Sequence, residues 1–215
     1  MDMSNSGLRS ELGNEARQEI VRAAAEVFME FGFAGSTIDA VANRLGATKG
    51  RIYHYFSSKA ALFFEVQRSA MERLTREVEP LARGPGSPAD RLRAMAFRHT
   101  MVILEDLPIQ KVSVQGLERQ LLEAAVGRHT RKFRNATRLR DEYEQLFAEV
   151  IDEGVRAGLF VDLPPRLATK PFFGVLNWLI VWYSPRRLQT KDDRAELAHM
   201  LSDFAMRGIS TGSQT

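Results

Sequence analysis

The stretch from Thr37 to Leu62 constrains the fold more than any other, because it predicts short helices joined by tight turns. Its first apolar residues have the i, i+3, i+4, i+7 spacing of one helix face: Ile38, Val41, Ala42 and Leu45. Thr37 stands where it can cap this helix, and Gly46 stands where a helix ends in the left-handed conformation. Thr48 can cap the next helix, which would direct Ile52 inward together with Tyr53 or Phe56. The pattern predicts a helix-turn-helix.

The charge of the same stretch favours a polyanionic partner. No acidic residue occurs between Asp39 and Glu65, whereas four basic residues do: Arg44, Lys49, Arg51 and Lys59. Aromatic residues lie among them at 53–55. The second helix of a helix-turn-helix enters the major groove of DNA by its N-terminal residues. In this chain those residues are Thr48, Lys49, Gly50 and Arg51.

A stripe of apolar residues precedes this stretch and ends at Gly32: Ile20, Ala23, Ala24, Val27, Phe28 and Phe31. Residues of about 15–65, stripe and motif together, resemble the N-terminal DNA-binding domain of TetR-family transcriptional regulators. The resemblance depends on a Thr-Ile start, Ala-x-x-Leu-Gly, Lys-Gly-x-Ile-Tyr-x-Tyr-Phe and Ser-Lys-x-x-Leu. It implies a DNA-binding role for this part of the chain.

The resemblance also implies a role for each matching residue. Phosphate contacts would come from Thr37, Lys49, Tyr53, Tyr55 and Lys59. Residues at or near base edges would be Thr48, Gly50, Arg51 and His54. Arg51 replaces a residue that is usually small in the family, and it would add a contact to guanine. For Tyr53, packing in the core and contact with a phosphate both stay open, whereas Phe56 is interpreted as core.

Composition is that of an ordinary globular protein, with a net charge of only +3, so the basic signal is local. The absence of cysteine excludes disulfides and thiolate catalysis. No secretion signal is evident, and the longest uncharged apolar run, 171–183, is too short to span a bilayer. We therefore predict a cytoplasmic protein.

The chain is predicted to be all-α, because no segment alternates with the period of a strand for long enough to suggest a sheet. Predicted helices after the motif cover about 60–83, 88–107, 117–157 with a break near Gly127, 166–183 and 191–208. A Gly- and Pro-rich linker at 84–88 follows the first of these, and Pro108 is expected to end the second. The predicted organisation is a flexible arm (1–13), a helix-turn-helix domain (14–65), a ligand-binding and dimerisation domain (66–209) and a flexible tail (210–215).

The segment 171–183 is apolar on every side and must therefore be buried on every side. In so small a domain, one face can meet the core and the other a second subunit. Together with the last helix, this segment predicts a homodimer formed by four-helix packing, as the family resemblance also implies. The predicted dimer residues are Phe172, Val175, Leu179, Trp182, Leu197, Met200, Leu201 and Phe204. A wholly intramolecular core is the alternative.

TetR-like regulators commonly enclose a small molecule in their second domain, and such sites are mostly apolar with few polar groups. Asn177 is a candidate for a polar contact in such a site, because it is the only amide in an apolar helix and a buried amide needs hydrogen-bond partners. Candidate effector-binding residues are Met95, His99, Ile103, Val114, Leu117, Phe147, Ile151, Phe173, Asn177 and Trp178. Each of them is also explained by plain core packing.

Two features indicate an acyl-CoA as effector. Glu153-Gly154, Gly158-x-Phe160, Trp178 and Trp182-Tyr183-x-Pro185 resemble the C-terminal domain of regulators of fatty-acid or sterol side-chain breakdown. A run of cations without an intervening acid could hold the phosphates of coenzyme A: Arg128, Arg131, Lys132, Arg134, Arg138 and Arg140. A solvated helix face is the alternative interpretation of this run.

The sequence does not favour an enzyme, a metal site or a cofactor. The single Glu-x-x-His, at Glu196–His199, is half of what a dimetal bundle needs, and no phosphate-binding glycine loop occurs. The predicted function is therefore a dimeric repressor that binds a palindromic operator and is released by a small-molecule effector. An activator, or a helical adaptor that binds protein rather than DNA, is the alternative.

Overall fold

In the computed structural model, residues 3–114 and 131–211 are described, and these ranges are almost entirely helical. Four helices form the first part of the chain: α1 (Met3–Gly35), α2 (Ile38–Leu45), α3 (Lys49–Tyr55) and α4 (Lys59–Ala82). The remaining helices are α5 (Pro88–Glu105), α6 (107–114), α7 (Arg131–Arg156), α8 (Pro165–Asn177), α9 (Leu179–Trp182) and α10 (Lys191–Arg207). Between described residues, β pairing is limited to an isolated antiparallel bridge of Phe160 with Ser210. The all-α prediction is confirmed.

The chain divides into two compact units. Unit 1 comprises Met1–Ala70 and Pro108–Ala136, and unit 2 comprises Met71–Leu107 and Thr137–Thr215. The sequence-based division placed residues 108–136 with the second domain instead. The described part of this stretch, residues 108–114, joins unit 1 because Ile109 and Val112 are buried in the same apolar cluster as the helix-turn-helix core.

The core of unit 1 collects the apolar faces of α1–α4, as their spacing predicts. Ile20, Phe28, Ile52 and Leu62 are fully buried. The caps of α2 and α3 are also as predicted: the Thr37 hydroxyl accepts from the Ala40 amide at 3.0 Å, and the Thr48 hydroxyl accepts from the Arg51 amide at 3.3 Å. Gly46 ends α2 with φ of 64°, in the left-handed conformation. These contacts fix the direction of α3.

Helix α1 differs from its prediction at both ends. It begins at Met3, inside the segment predicted to be a flexible arm, and it continues past Gly32 to Gly35. Gly32 itself is not helical, with φ of 68°, so the chain bends there. Beside the bend, Phe31 is 52% exposed and does not belong to the inward stripe in which its spacing placed it.

Unit 2 buries a continuous core between α5, α7, α8 and α10. Pro108 does not end α5, which already stops at Glu105; it stands in the first turn of α6, where a proline is tolerated. The helix predicted over 166–183 is divided at Trp178 into α8 and α9. Within the described ranges, no helix has both the length and the hydropathy to cross a membrane.

Candidate nucleic-acid interface and effector site

Helix α3 presents its N-terminal end to solvent. Thr48, Lys49, Gly50 and Arg51 are all exposed, and Ile52 behind them is fully buried. At Gly50, the nearest atom to an added Cβ would be the Thr48 hydroxyl oxygen at 3.8 Å, so the backbone on this side is open to a bulky partner. The end of the helix that the sequence predicts to contact DNA is therefore accessible and held by a buried anchor.

Both cations at this end of α3 form ion pairs with neighbouring helices. Lys49 Nζ lies 2.9 Å from Asp39 Oδ2 at the start of α2, and this hydrogen bond raises the pKa of Lys49 above its ordinary value. Arg51 Nη2 lies 2.9 Å from Glu19 Oε2 on α1. The positive charge needed for DNA is thus present, but each cation has a carboxylate beside it.

The aromatic residues of α3 separate into surface and core. Tyr53 is 47% exposed, which places its ring at the surface and leaves the phosphate interpretation open for it. His54 is exposed and meets the Tyr55 ring edge-on, with centroids 5.0 Å apart. Tyr55 packs partly against the core, whereas Phe56 is 3% exposed and is confirmed as a core residue.

Lys59 makes contacts that its predicted phosphate role did not include. Its Nζ donates to the backbone carbonyls of Phe33 and Ser36, at 2.7 Å each, and lies 4.6 Å from the centroid of the Phe33 ring. The ammonium therefore satisfies carbonyls at the end of α1 and ties that end to the start of α4. A phosphate contact by its remaining N–H stays a prediction.

In unit 2, several predicted effector-binding residues meet around a buried polar group. His99 Nδ1 lies 2.8 Å from the Tyr143 hydroxyl, and His99 Nε2 lies 3.1 Å from Asn177 Oδ1. Phe147 and Phe173 surround the imidazole, with ring centroids 6.2 and 5.4 Å from that of His99. We call these five residues the His99 cluster. Tyr143 is not among the predicted effector-binding residues, and no sequence signal distinguished it as a polar partner of His99.

Burial keeps the His99 cluster uncharged. It lowers the pKa of His99 to about 4 and raises the pKa of Tyr143 well above its ordinary value. With Asn177 Oδ1 as an acceptor, His99 donates from Nε2 and accepts the Tyr143 proton at Nδ1. The cluster is therefore a neutral hydrogen-bonded chain inside an aromatic wall.

Other predicted effector-binding residues lie elsewhere. Met95, Ile103 and Ile151 are buried apolar residues of unit 2. Val114 belongs to unit 1, and Leu117 lies outside the described residues. Trp178 is 63% exposed and therefore does not belong to the buried His99 cluster; it lines a surface groove instead.

That surface is an apolar groove between α8, α9 and α10, with a volume of about 510 Å³. It is lined by Pro171, Gly174, Val175, Trp178, Trp182, Met200, Leu201 and Phe204. Phe204 is 66% exposed and Met200 57%, values that are high for large apolar side chains. We call this surface the α8–α10 groove.

Five of the eight predicted dimer residues line the α8–α10 groove, and three do not: Phe172, Leu179 and Leu197, the last of which lines a neighbouring pocket with Trp182 and Met200. Phe172 is 3% exposed and Leu179 is 0% exposed, because both face the core of their own protomer. Trp178 was assigned to the effector site and instead lines the groove. Trp178 keeps helical φ and ψ of −59° and −23°, and it shares one helix face with Val175 and Trp182, so a continuous helix over 166–183 would also place it beside these predicted dimer residues.

The run of cations proposed to hold coenzyme A phosphates is only partly described. Arg138 pairs with Glu142 at 2.6 Å, one turn along α7. Burial lowers the pKa of Arg140, so this residue does not extend an exposed basic face. The side chains of Arg128, Arg131, Lys132 and Arg134 lie outside the described residues.

Within the described ranges, no three acidic or histidine side chains lie close enough together to hold a metal ion. Glu196 and His199 of the lone Glu-x-x-His lie exposed on α10. There, the His199 ring stacks on Phe97 at 4.3 Å.

The fold and the exposed α3 define a two-unit DNA-binding regulator. Residues 20–66 match the model for bacterial regulatory proteins of the tetR family, and residues 85–209 match the Tetracyclin repressor-like C-terminal domain. The chain belongs to the TetR family, whose members are transcriptional regulators rather than enzymes.

Relatives and solved structures extend this likeness over nearly the whole chain. The HTH-type transcriptional repressor NicS of Pseudomonas putida is 24% identical over 97% of this chain and 99% of its own length. The HTH-type transcriptional repressor KstR2 of Rhodococcus jostii is 29% identical over 84% of this chain and 85% of its own. Among solved structures, AibR in complex with isovaleryl coenzyme A and operator DNA has the same fold, with 19% identity and a TM-score of 0.67 over 86% of this chain and 97% of that one.

Proposed function

We propose that this regulator is a dimeric repressor that binds a palindromic operator and releases it when an acyl-CoA or a similar lipid-derived molecule occupies unit 2. The exposed, capped N-terminal end of α3, with Lys49 and Arg51 in its first turn, carries the DNA-binding part of this proposal. NicS and KstR2 are both named as repressors, which supports repression rather than activation.

In this proposal, the contacts with DNA divide between phosphates and bases. Lys49, Tyr53 and Thr37 lie exposed where phosphates would flank the helix, and they set its register. Thr48, Gly50, Arg51 and His54 approach base edges in the major groove, with Arg51 donating to guanine. Tyr55, which packs partly against the core, and Lys59, which donates to the carbonyls of Phe33 and Ser36, are also proposed to contact phosphates.

The α8–α10 groove supports a homodimer. An exposed cluster of aromatic and apolar side chains on two adjacent helices is unfavourable in water and is buried when two copies pack face to face. Two copies of α3 spaced about 34–36 Å apart would then reach successive major grooves of one operator.

The His99 cluster supports an uncharged or acyl-bearing effector. Its aromatic wall suits a hydrocarbon chain, and the His99–Tyr143–Asn177 hydrogen bonds offer neutral polar groups to a carbonyl. The isovaleryl coenzyme A bound by AibR supports the acyl-CoA class.

Release follows if the effector binds more tightly to a conformation in which the two α3 helices are wrongly spaced. A tenfold loss of operator affinity needs about 1.4 kcal/mol of such coupling.

Fluorescence anisotropy of labelled DNA from upstream of the gene, titrated with protein and with a panel of acyl-CoAs, tests the proposal. We expect tight binding that weakens steeply with salt and is reversed by one chain-length class. Tight binding that no acyl-CoA affects would contradict the effector, and no binding to any tested DNA would favour an adaptor over a DNA-binding protein.

Two variants separate the effector site from the DNA interface. His99→Phe should retain operator binding and lose its response to acyl-CoA, because it replaces the polar centre of the His99 cluster with an apolar ring. Lys49→Met should weaken binding to all DNA and leave effector binding unchanged. A reporter gene placed behind the operator distinguishes repression from activation.

A further inference from the structure

The ion pair between Arg51 and Glu19 joins the recognition helix α3 to α1. Arg51 Nη2 donates to Glu19 Oε2 at 2.9 Å, and the two side chains are 42% and 58% exposed. Exposed pairs of this kind add little to folding stability. The ion pair therefore contributes little to folding, and its main structural effect is to fix the direction of the Arg51 side chain.

We propose that Glu19 is a positioning residue that determines operator specificity by orienting the Arg51 guanidinium toward guanine. The inference rests on the proposed function, since it requires that Arg51 approach the bases.

The first reason is geometric. A guanidinium has five N–H donors in a rigid fork, and Glu19 accepts from one of them. The remaining N–H groups still include two adjacent donors, which can contact the O6 and N7 atoms of guanine. A side chain already held in position also loses less conformational freedom when it contacts the base.

The second reason is electrostatic. A carboxylate beside the DNA surface is repelled by phosphates unless Arg51 neutralises it. If Arg51 left Glu19 for a phosphate on an incorrect sequence, the carboxylate would face the DNA unpaired. Glu19 thus disfavours nonspecific contacts of Arg51 while allowing the specific one.

Glu15 provides a matched control. It lies one turn before Glu19 on α1, is exposed, and makes no ion pair with Arg51. Glu15→Gln and Glu19→Gln change the charge of the domain equally, so a general electrostatic effect on DNA affinity will be common to both variants.

The experiment is a random-sequence selection with the full-length wild type, Glu19→Gln and Glu15→Gln, followed by titration of the selected operator and its single-base variants. We expect Glu19→Gln to lose about tenfold discrimination at one guanine of each half-site. Glu15→Gln should bind all DNA somewhat more tightly with unchanged discrimination. In an Arg51→Ala background, Glu19→Gln should have no effect at that guanine beyond that of Glu15→Gln.

Equal base preferences in Glu19→Gln and Glu15→Gln would overturn the inference and leave the proposed DNA binding intact. So would a loss of discrimination that persists in the Arg51→Ala background, because Glu19 would then act without Arg51. A wild-type chain that enriches no sequence would contradict the proposed function itself and, with it, this inference.

Discussion

At the scale of the residue, the hydrogen-bond partners of a lysine determine whether its ammonium group is available to bind DNA or instead stabilises the fold. Lys49 and Lys59 are both lysines of the helix-turn-helix region, and the family resemblance implied phosphate contacts for both. In the structure, the Lys49 ammonium faces solvent beside Asp39, whereas the Lys59 ammonium is held by two backbone carbonyls. The sequence could not separate them, because the carbonyls that hold Lys59 belong to α1, more than twenty residues away.

Lys59→Met should destabilise unit 1 by about 1–2 kcal/mol, because two carbonyls at the end of α1 lose a charged donor. Denaturant unfolding monitored by circular dichroism measures this change. Lys49→Met, which removes an exposed ammonium, is the control and should unfold with the wild type. If Lys59→Met keeps its stability and loses affinity for all DNA alike, the phosphate role is the correct one.

His99 makes stability depend on pH in a defined window. Its pKa is lowered from 6.5 to about 4 in the folded state, so the unfolded chain binds a proton first as the pH falls. The contribution of His99 to the free energy of unfolding is therefore complete above pH 6.5 and is lost as the pH falls toward 4. Between pH 7 and pH 5 the loss should be about 2 kcal/mol.

Urea titrations of the wild type and His99→Gln at both pH values measure the effect, since the variant lacks this dependence whatever its absolute stability. An NMR titration of the wild-type imidazole gives an independent reading. An imidazole that is protonated at pH 6 in the folded protein would contradict the buried, neutral state.

At the scale of the element, α7 depends on a residue without a side chain. A Cβ added at Gly154 would lie 2.1 Å from two carbon atoms of the Phe160 ring, and that ring is 2% exposed and fixed in the core. Helix α7 can pack against the turn that follows it only because position 154 is glycine.

Gly154→Ala should therefore destabilise the protein by about 3 kcal/mol or more, since neither the helix backbone nor the buried ring can move away easily. Gly13→Ala is the matched control. It is also a helical glycine, but nothing lies within 4 Å of its added Cβ, so it should be neutral or slightly stabilising. Thermal melts compare the two, and equal melting temperatures would show that the Phe160 contact is not restrictive.

Features of the helices that depend on residues nearby in the sequence were predictable, and other features were less so. The caps at Thr37 and Thr48 and the buried stripe of α2 followed from spacing and hydrogen-bonding chemistry. The break at Trp178 did not, since every residue from Phe172 to Tyr183 except Gly174 and Asn177 is a large apolar one and no proline or charge marks it. The exposure of Trp178 does not come from that break, since Trp178 has helical dihedrals and lies on the same helix face as Val175 and Trp182. Helical spacing alone therefore groups Trp178 with these two predicted dimer residues rather than with the effector site.

At the scale of the whole molecule, the α8–α10 groove should determine the oligomeric state. Trp182→Arg places a charge among exposed apolar residues that would be buried between two copies. We expect dimer affinity to fall about 30-fold or more. Sedimentation velocity over a range of concentrations measures this, with Leu163→Arg, exposed outside the groove, as the control. A Trp182→Arg variant that sediments as the wild type does would place the interface elsewhere.

The membership of Ile109 and Val112 in unit 1 has a consequence for biosynthesis. A nascent chain that has released only residues 1–70 contains every helix of the DNA-binding motif but lacks two buried residues of its core. More than thirty further residues must be synthesised before Ile109 and Val112 can cover the apolar surface of the motif. Fragments cut near residue 70 would carry that uncovered surface permanently, so we expect them to aggregate more readily than the full chain.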